Sequence, residues 1–338
     1  MHQLFSRKFN SKRILLIFVI LLTISLIFLF VLLKKNFEVQ EAIIFEIESG
    51  QEYQEIFANL AKNNLIKAHK VHLFLFKIAN KLNTKFYFQA GEYLIEGHDN
   101  YLSMLKKFID GEVYQRKYTI VEGSSNAQII KTLNNIEYLT GEITTYPTEG
   151  YLLPDTYFYQ KGDSRQEQID LMQDRMLQEL DNIWNKRAEN LPLKHKQDLI
   201  ILASIVEKET GLASERNHIA GIFVNRINKK MKLQSDPTVI YAITKGKYKL
   251  SRPLSKKDLR IKSDYNTYYR YGLPPSAITN PGLAALRAAA EPLETKDLYF
   301  VSNGNGGHYF AQTLIEHNKN VRKLRIIEKM RKNEKKSN

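Results

Sequence analysis

The strongest pattern along the chain is an apolar run from Ile14 to Leu33, broken only by two small hydroxyl residues. A helix of ~20 residues, rising about 1.5 Å per residue, matches the ~30 Å hydrocarbon core of a bilayer. A core helix rarely lacks a polar face over this length. A cleaved signal peptide would need a small-residue cleavage site, but Lys34-Lys35-Asn36-Phe37 follows instead. The run therefore predicts an uncleaved transmembrane helix at residues 14–33.

Positive charge is distributed unevenly around this helix. Four basic residues precede it and two follow it: Arg7, Lys8, Lys12 and Arg13, against Lys34 and Lys35. The more positive flank stays in the cytoplasm, so residues 1–13 are predicted to be cytoplasmic. No later segment is apolar and long enough to span. The expected protein is a single-pass inner (cytoplasmic) membrane protein whose remaining residues are periplasmic or otherwise extracytoplasmic.

Beyond the anchor, one pattern occurs twice, from Phe45 to Leu60 and from Tyr118 to Leu133. In each copy, apolar residues first alternate with polar ones and then recur at the spacing of a helix. Each copy predicts a short strand, a turn at a glycine and an amphipathic helix. This unit is so common that chance explains the similarity as well as a true repeat does. The first copy continues into further predicted elements, which complete a small α+β module at residues 40–115: a helix at 67–80, a strand at 86–95, and a helix at 101–109 that Gly111 ends.

The second copy opens a larger predicted α+β domain at residues 116–330. Residues 231–281 are irregular and rich in Tyr, Pro, Gly and Asn, a composition typical of ordered binding loops. Gly211 suits the position after a helix end and Ser214 suits a helix N-cap. The predicted helices are 165–184, 195–210, 215–228 and 283–290, and the predicted strands are 298–302 and 308–311, joined by the turn Asn303–Gly307.

Composition narrows the possible functions. Residues with hydrophobic side chains make up 43% of the chain, enough for a packed core, and the absence of cysteine excludes disulfides and thiolate chemistry. The net charge is +14, but the basic tail at 319–336 has the spacing of a solvated helix. No nucleic-acid motif is present, so nucleic acid is not an expected partner. His308 and His317 are too far apart to suggest a metal site, and neither metal nor cofactor is expected.

One carboxylate stands out by its position. Leu199–Val206 is apolar almost all round, which predicts a buried helix, and Glu207 follows at once. Burial and the negative end of the helix dipole both raise a carboxyl pKa. A glutamic acid that keeps its proton near neutral pH can act as a general acid on a glycosidic bond. On this pattern alone, the commoner case is a structural carboxylate that pairs with Lys208 or caps the next element.

Further candidates lie in the loops. Glu149 and Asp155 belong to the segment Thr148–Tyr157, and Asp236 precedes Pro237. Each of these carboxylates could equally serve only to shape a turn. The segment Tyr265–Tyr268 offers aromatic faces and an amide, which suit sugar rings and N-acetyl groups but also ordinary loop packing.

The chain resembles the YceG-like family of membrane-anchored endolytic murein transglycosylases (MltG). The resemblance covers essentially the whole part after the anchor, because several long motifs occur in the family's order. They are Glu149-Gly-Tyr-Leu-Leu-Pro-Asp-Thr-Tyr157, Leu202-Ala-Ser-Ile-Val-Glu-Lys-Glu-Thr210, Leu233-Gln-Ser-Asp-Pro-Thr-Val-Ile-Tyr241, Tyr265-Asn-Thr-Tyr268, Gly272-Leu-Pro-Pro275, Asn280-Pro-Gly282 and Tyr299–Phe310.

The resemblance implies that Glu207 is the acid/base of a lytic transglycosylase and that residues 40–115 form a LysM-like module. The implied reaction cleaves the β-1,4 bond between N-acetylmuramic acid (MurNAc) and N-acetylglucosamine (GlcNAc) to give 1,6-anhydroMurNAc ends. Such a reaction would terminate the elongation of nascent strands. Because the attacking hydroxyl belongs to the substrate, one carboxylate suffices, whereas most glycosidases need two.

The implied partners are peptidoglycan strands, the membrane, and peptidoglycan synthases or penicillin-binding proteins. Two rivals stay open: a hydrolase (muramidase) with Asp236 or Glu149 as second carboxylate, and a non-catalytic peptidoglycan-binding scaffold. The candidate substrate-binding residues at the motif positions are Glu149, Gln234, Asp236, Tyr265, Asn266, Thr267, Asn280 and His308.

Overall fold

The structure is a computed structural model that describes residues 11–37, 41–67, 69–82 and 86–337. It mixes helices with three two-stranded sheets, in agreement with the predicted α+β class. The chain divides into two compact units, Met1–Arg116 and Lys117–Asn338. Each unit has its own hydrophobic core.

The first unit begins with helix α1, Ser11–Leu33. Its apolar side chains between Ile14 and Val31 are solvent-exposed rather than packed against protein. The Thr23 hydroxyl donates to the Val19 carbonyl at 2.8 Å, which satisfies this polar group within the helix itself. Among the described residues, α1 is the one helix long and apolar enough to cross a membrane, as the sequence predicts.

In the rest of the first unit, three helices accompany a two-stranded antiparallel sheet. Strand β1 runs from Ile43 to Ile47 and pairs with β2, Gly91–Ile95, with Ile47 opposite Gly91. The predicted strand at 86–95 is therefore five residues too long. Pairing does not extend to residues before Gly91, because its partner Ile47 is the last residue of β1. The helices are α2 at Tyr53–Lys62, α3 at His69–Leu82 and α4 at Tyr101–Asp110.

Helix α4 illustrates how local sequence fixes its ends. The Asn100 side chain accepts from the backbone amides of Leu102 and Ser103, and the Ser103 hydroxyl accepts from the Asn100 amide, which forms a capping box. Gly111 ends the helix in the left-handed conformation, at φ 70°. The prediction that Gly111 ends this helix is confirmed.

The second unit is built around one buried helix. Helix α7, Lys196–Glu209, has eight consecutive buried residues from Leu199 to Val206, because neighbouring helices cover its whole circumference. These neighbours are α6 at Arg165–Asn185, α8 at Arg216–Asn228, α9 at Asp236–Thr244 and α10 at Leu283–Ala290. Four alanines of α10 are buried at these contacts and let the helices approach closely.

The remaining elements lie at the edges of this helical core. Strands β3 and β4 pair with each other, and β5 pairs antiparallel with β6 so that Ser302 lies opposite His308. The predicted turn Asn303–Gly307 is confirmed by this register. Their bounds, with the two other helices, are β3 Arg116–Thr119, α5 Asn126–Asn134, β4 Thr156–Tyr159, β5 Tyr299–Ser302, β6 His308–Ala311 and α11 Leu314–Ser337.

Two local predictions are wrong, and a third, for Gly211, is confirmed in position. The segment at 231–281 is not irregular throughout, because it contains α9 with Pro237 in its first turn. Ser214 does not cap α8; it lies within a short 3-10 turn, Ala213–Glu215, that leads directly into the helix. Gly211 does follow the cap residue Thr210, but its φ is not positive, so its conformational freedom is not used.

Candidate active site

Glu207 lies in the last turn of α7, directly after the buried residues of that helix. The side chain of Glu207 is only 6% exposed. Its Oε2 accepts a hydrogen bond from the Gly282 amide at 2.9 Å. Its Oε1 lies 3.8 Å from Nη2 of Arg216, the first residue of α8. Glu207 is thus held at one oxygen by the main chain, while the other oxygen is free to carry a proton.

The pKa of Glu207 is raised above the ordinary glutamate value. Burial is the main cause, and the negative charge of Glu122 adds to it. The Gly282 amide and the positive charges of Arg216 and Lys208 act in the opposite direction but do not cancel the rise. A carboxyl in this state can hold a proton at a pH where an exposed glutamate has lost it.

Lys208 is not the partner of Glu207. Its ammonium group is exposed and donates to the Gly123 carbonyl at 3.3 Å. The charged neighbours of Glu207 come from other elements instead. Glu122, in the turn after β3, has its Oε2 3.6 Å from Nη2 of Arg216. Sequence reasoning missed both Glu122 and Arg216, because neither is near Glu207 in the chain.

Asn280 joins the segments that surround Glu207. Its Oδ1 accepts from the amides of Gly150 and Leu152 at 3.0 and 2.9 Å. Its Nδ2 lies 3.0 Å from the Ser124 carbonyl and 2.9 Å from Asn126 Oδ1. The fully buried Asn280 side chain therefore fixes the position of Gly282, two residues later.

Glu149 belongs to the same buried network. Its Oε1 accepts from the Asn126 amide at 2.7 Å and from Asn280 Nδ2 at 3.1 Å, and its Oε2 lies 3.5 Å from the Tyr241 hydroxyl. Burial raises the pKa of Glu149 to about 7, although the bonds from Asn126 and Tyr241 oppose the rise. Glu149 is a second protonatable carboxyl, enclosed by protein.

A pocket of about 340 Å³ lies beside the last turn of α7, where Lys208 lines it. Thr279 lines it and is 1% exposed, and its Oγ1 has no hydrogen-bond partner among the residues that the structure describes. Aromatic and cationic side chains surround the opening. The lining residues are Gly123, Ser125, Gln128, Lys208, Pro237, Ile240, Tyr241, Thr244, Gly246, Tyr248, Lys249, Leu250, Ile278 and Thr279.

The last turn of α7 carries another glutamate on its other side. Oε1 of Glu209 accepts from the Ser235 hydroxyl at 2.5 Å. Burial raises the pKa of Glu209 to about 7, against the effects of Ser235 and Arg226. Ser235 precedes α9, and its amide donates to the Thr267 hydroxyl at 3.0 Å. Glu209 therefore connects α7 to the start of α9.

The other predicted substrate-binding residues are engaged with protein to different degrees. The buried Asn266 amide donates to the carbonyls of Leu259 and Ile261, and the Thr267 hydroxyl also contacts that of Thr238 at 2.8 Å. These two side chains fix the loop that carries them. Their direct contact with a substrate remains a prediction.

The four remaining candidates are more accessible, and none of them lines the pocket of about 340 Å³. Gln234 is exposed, and Asp236 accepts from the Tyr268 hydroxyl at 2.7 Å. Tyr265 contacts the Ser276 hydroxyl at 2.7 Å. Nδ1 of His308 lies 2.7 Å from Glu215, beside Arg216. Within the described residues, no group of three or more His, Asp or Glu side chains is placed to hold a metal ion.

The second unit thus combines a buried glutamate of raised pKa with a pocket beside the end of its helix, on an α+β scaffold. The YceG-like family model matches residues 45–323, and the chain belongs to that family. The resemblance seen in the sequence motifs is thereby confirmed.

Relatives of known name support the assignment of the chain to this family. A Bacillus subtilis (strain 168) protein named endolytic murein transglycosylase is 33% identical over 305 residues, which are 81% of this chain and 82% of the relative. A protein of the same name from Streptococcus pneumoniae (serotype 2, strain D39) is 29% identical over 81% of this chain and 57% of its own length. A crystal structure of a yceG-like protein from Listeria monocytogenes shares 30% identity, with a TM-score of 0.49, over 83% of this chain and 99% of that one.

Proposed function

We propose that the protein is a membrane-anchored endolytic lytic transglycosylase that cleaves the MurNAc-β-1,4-GlcNAc bond of peptidoglycan strands. The observation that carries this proposal is Glu207, a buried carboxyl with a raised pKa, whose neighbour in the chain, Lys208, lines an open pocket. Its family membership supplies the substrate class, because the relatives are named endolytic murein transglycosylases.

Glu207 acts first as the general acid. The Gly282 amide occupies Oε2, so the proton resides on Oε1. This proton passes to the glycosidic oxygen as the bond from C1 of MurNAc to that oxygen breaks, and GlcNAc leaves as an alcohol. The resulting carboxylate stands 3.8 Å from the Arg216 guanidinium, which stabilises its charge.

The same carboxylate then acts as the base. It accepts the proton of the MurNAc C6 hydroxyl while that oxygen forms a bond to C1, which gives the 1,6-anhydro ring and restores protonated Glu207. No water is consumed. The attack is intramolecular, and such reactions gain from high effective molarity, so a second carboxylate is not required.

Two features weigh against the hydrolase alternative. Glu149 is enclosed by hydrogen bonds to Asn126 and Asn280, so it is not free to activate a water in the pocket. Asp236 is bonded to Tyr268 and lies at the start of α9. The direct contacts with sugar are assigned to the rim of the pocket, while Asn266, Thr267 and Asn280 act by fixing its walls.

The first unit is proposed to be a LysM-like glycan-binding module. A groove of about 620 Å³ between the β1–α2 turn and the segment before β2 is lined by Tyr87, a 69% exposed aromatic ring of the kind that packs on sugars. Tyr87→Ala should weaken binding to glycan strands without changing the chemistry of the products. Phe158→Ala is the matched control, since Phe158 is an aromatic ring of the other unit that is 57% exposed.

The location proposed for the enzyme follows from α1 and its charged flanks. Residues 14–33 anchor the chain in the cytoplasmic membrane, residues 1–13 stay in the cytoplasm, and the catalytic part faces the wall. There it would meet peptidoglycan synthases and terminate strand elongation. A reporter fused after Asn338 that is active in the cytoplasm would contradict this topology.

The decisive experiment digests purified peptidoglycan with the full-length protein and identifies the new termini by mass spectrometry. New 1,6-anhydroMurNAc ends are expected. New reducing ends would establish a muramidase instead. Binding to peptidoglycan without any new termini would establish the non-catalytic scaffold.

A further inference from the structure

Three charged side chains meet around the main chain of one glycine. Glu207 comes from the end of α7, Arg216 from the start of α8, and Glu122 from the turn after β3. Nη2 of Arg216 lies 3.8 Å from Glu207 and 3.6 Å from Glu122. The Gly282 amide donates to Glu207. We call Glu207, Arg216, Glu122 and Gly282 the acid cluster.

Gly282 lies between the two carboxylates and leaves no room for a side chain of its own. A Cβ atom at residue 282 would lie 2.1 Å from Oε1 of Glu122, well inside contact distance. Glu122 therefore packs against the same residue whose amide holds Glu207. The packing against Gly282 therefore holds the charge of Glu122 close to Glu207, although 85 residues of chain separate them.

Arg216 contacts both carboxylates by charge rather than by hydrogen bonds. Both of its distances exceed the 2.7–3.2 Å that is usual for an N–H···O bond. Its side chain is 12% exposed, and its Nε has no hydrogen-bond partner within the described residues. In such a poorly solvated position, a unit charge acts on its neighbours more strongly than it would in water.

We infer that Arg216 and Glu122 are positioning residues that act as a balanced charge pair on Glu207, so that this residue can both give up and take back a proton. The inference rests on the proposed function. Arg216 stabilises the carboxylate that forms when Glu207 donates. Glu122 offsets Arg216, so that the carboxyl regains its proton in the second step.

Each charge alone would block one half of the cycle. With Arg216 unopposed, Glu207 would stay ionised and could not serve as the acid. With Glu122 unopposed, the carboxylate would be disfavoured when the glycosidic bond breaks. Lys208 also faces Glu207, but it is solvent-exposed and bonded to Gly123, so its charge is better screened.

The test compares Glu122→Gln, Arg216→Gln and the double variant in the full chain, by the pH dependence of anhydro product formation. Activity needs protonated Glu207, so the rate falls as pH rises through its pKa. Glu122→Gln should move this alkaline limb of the pH profile to lower pH. At pH values on or above the limb, the rate should fall roughly three- to tenfold. Arg216→Gln should move the limb to higher pH and lower the maximum rate, and the double variant should return the limb toward its original position.

A purely structural role would not produce shifts of opposite sign. Glu122 is 45% exposed, so Glu122→Gln keeps the test meaningful even if Arg216→Gln fails to fold. Glu189→Gln is the control, because Glu189 is an exposed glutamate on the surface. An unmoved limb in Glu122→Gln, or a shift of the same sign in both single variants, would overturn the inference.

A second readout separates this inference from the proposed function. The side-chain carboxyl ¹³C signal of Glu207, assigned by its loss in Glu207→Gln, is titrated in the wild type and in the variants. Opposite displacements of this titration support the charge pair even if the protein proves to cleave no glycan. Unchanged titrations overturn it even if the protein is a transglycosylase.

Discussion

The last turn of α7 carries two glutamates that share a helix, a raised pKa and burial as its main cause. They differ in what surrounds them. Glu207 is held by a main-chain amide and faces Arg216 and Glu122. Glu209 accepts a short bond from the Ser235 hydroxyl. Burial alone therefore does not distinguish the two glutamates. Their partners do, because Glu209 is bonded to Ser235 at the start of α9, whereas Oε1 of Glu207, the proposed acid, receives no hydrogen bond from the described residues.

The largest effect is expected from Glu207→Gln. Glutamine keeps the shape and can still accept the Gly282 amide bond, but it cannot transfer a proton. General acid–base groups contribute about 10²–10⁴-fold, and a sole acid/base should lie at the upper end. Near-complete loss of anhydro products is expected, with a melting temperature no lower than that of the wild type, because a buried ionisable group is replaced by a neutral amide.

Glu209→Gln is the matched comparison, made two residues away on the same turn. It should reduce the rate only mildly. If Glu209→Gln abolished activity and Glu207→Gln did not, the acid would have to be reassigned to Glu209. A loss of activity in Glu207→Gln that came with a much lower melting temperature would make Glu207 a structural residue.

Gly282→Ala should have the next largest effect. Its new Cβ would collide with the carboxylate of Glu122, and this half-exposed side chain must move away to relieve the contact. Glu207 then faces Arg216 without the opposing charge, so we expect a rate loss like that of Glu122→Gln, roughly three- to tenfold. Gly211→Ala is the control, since nothing lies within 4 Å of a Cβ there.

Ser235→Ala tests the difference between the two glutamates by changing the partner of Glu209. The change removes the hydroxyl that donates to Glu209 and leaves a buried carboxyl without that bond. An unsatisfied buried polar group costs about 1–3 kcal/mol, so the free energy of unfolding should fall by this amount in denaturant titrations. The rate should stay within roughly threefold of wild type. A rate loss comparable to that of Gly282→Ala would show that Glu209 takes part in the chemistry.

The smallest effect on rate is expected from Glu149→Gln, which instead should change the pH dependence of stability. The folded-state pKa of Glu149 is raised from 4.5 to about 7. Its stabilising contribution is complete below pH 4.5 and declines as pH rises to about 7, because the unfolded chain ionises first. The decline amounts to roughly 3 kcal/mol and should be absent in Glu149→Gln.

Urea unfolding at pH 5 and pH 8 measures this decline. Glu142→Gln, which alters an exposed side chain, should retain the wild-type difference between the two pH values. A wild-type difference that is undiminished in Glu149→Gln would mean that Glu149 is already ionised in the folded protein. A remainder is expected from Glu209, because burial raises its pKa to about 7 as well.

Regular elements with strong periodicity could be predicted from the sequence. The bounds of α10 and β6 were predicted to the residue, since Leu283–Ala290 is an unbroken helical run and His308–Ala311 follows a glycine-rich turn. Helix α9 was missed because the tyrosine, proline, glycine and asparagine residues of the segment suggested a loop. Asp236-Pro237 was the available signal, as proline is favoured in the first turn of a helix.

The acid cluster could be predicted only in part. Glu207 was identified because its burial follows from the apolar residues of its own helix. Glu122 and Arg216 have no such local pattern, and Glu122-Gly123 looks like any other turn. Their proximity depends on how β3, α8 and α10 pack, which is tertiary information that hydrophobic spacing does not contain.

The junction at Asn280 also bears on when the protein becomes active during its folding. One side chain joins Ser124, Gly150 and Leu152 across 128 to 156 residues. Such distant contacts form late, since a long loop must close before they are gained. The amide of Gly282 reaches Glu207 only after this closure. A chain that is still being synthesised, or is only partly folded, therefore lacks the contacts that hold Glu207, and if Glu207 is the acid as proposed, such a chain cuts no strand before its fold is complete.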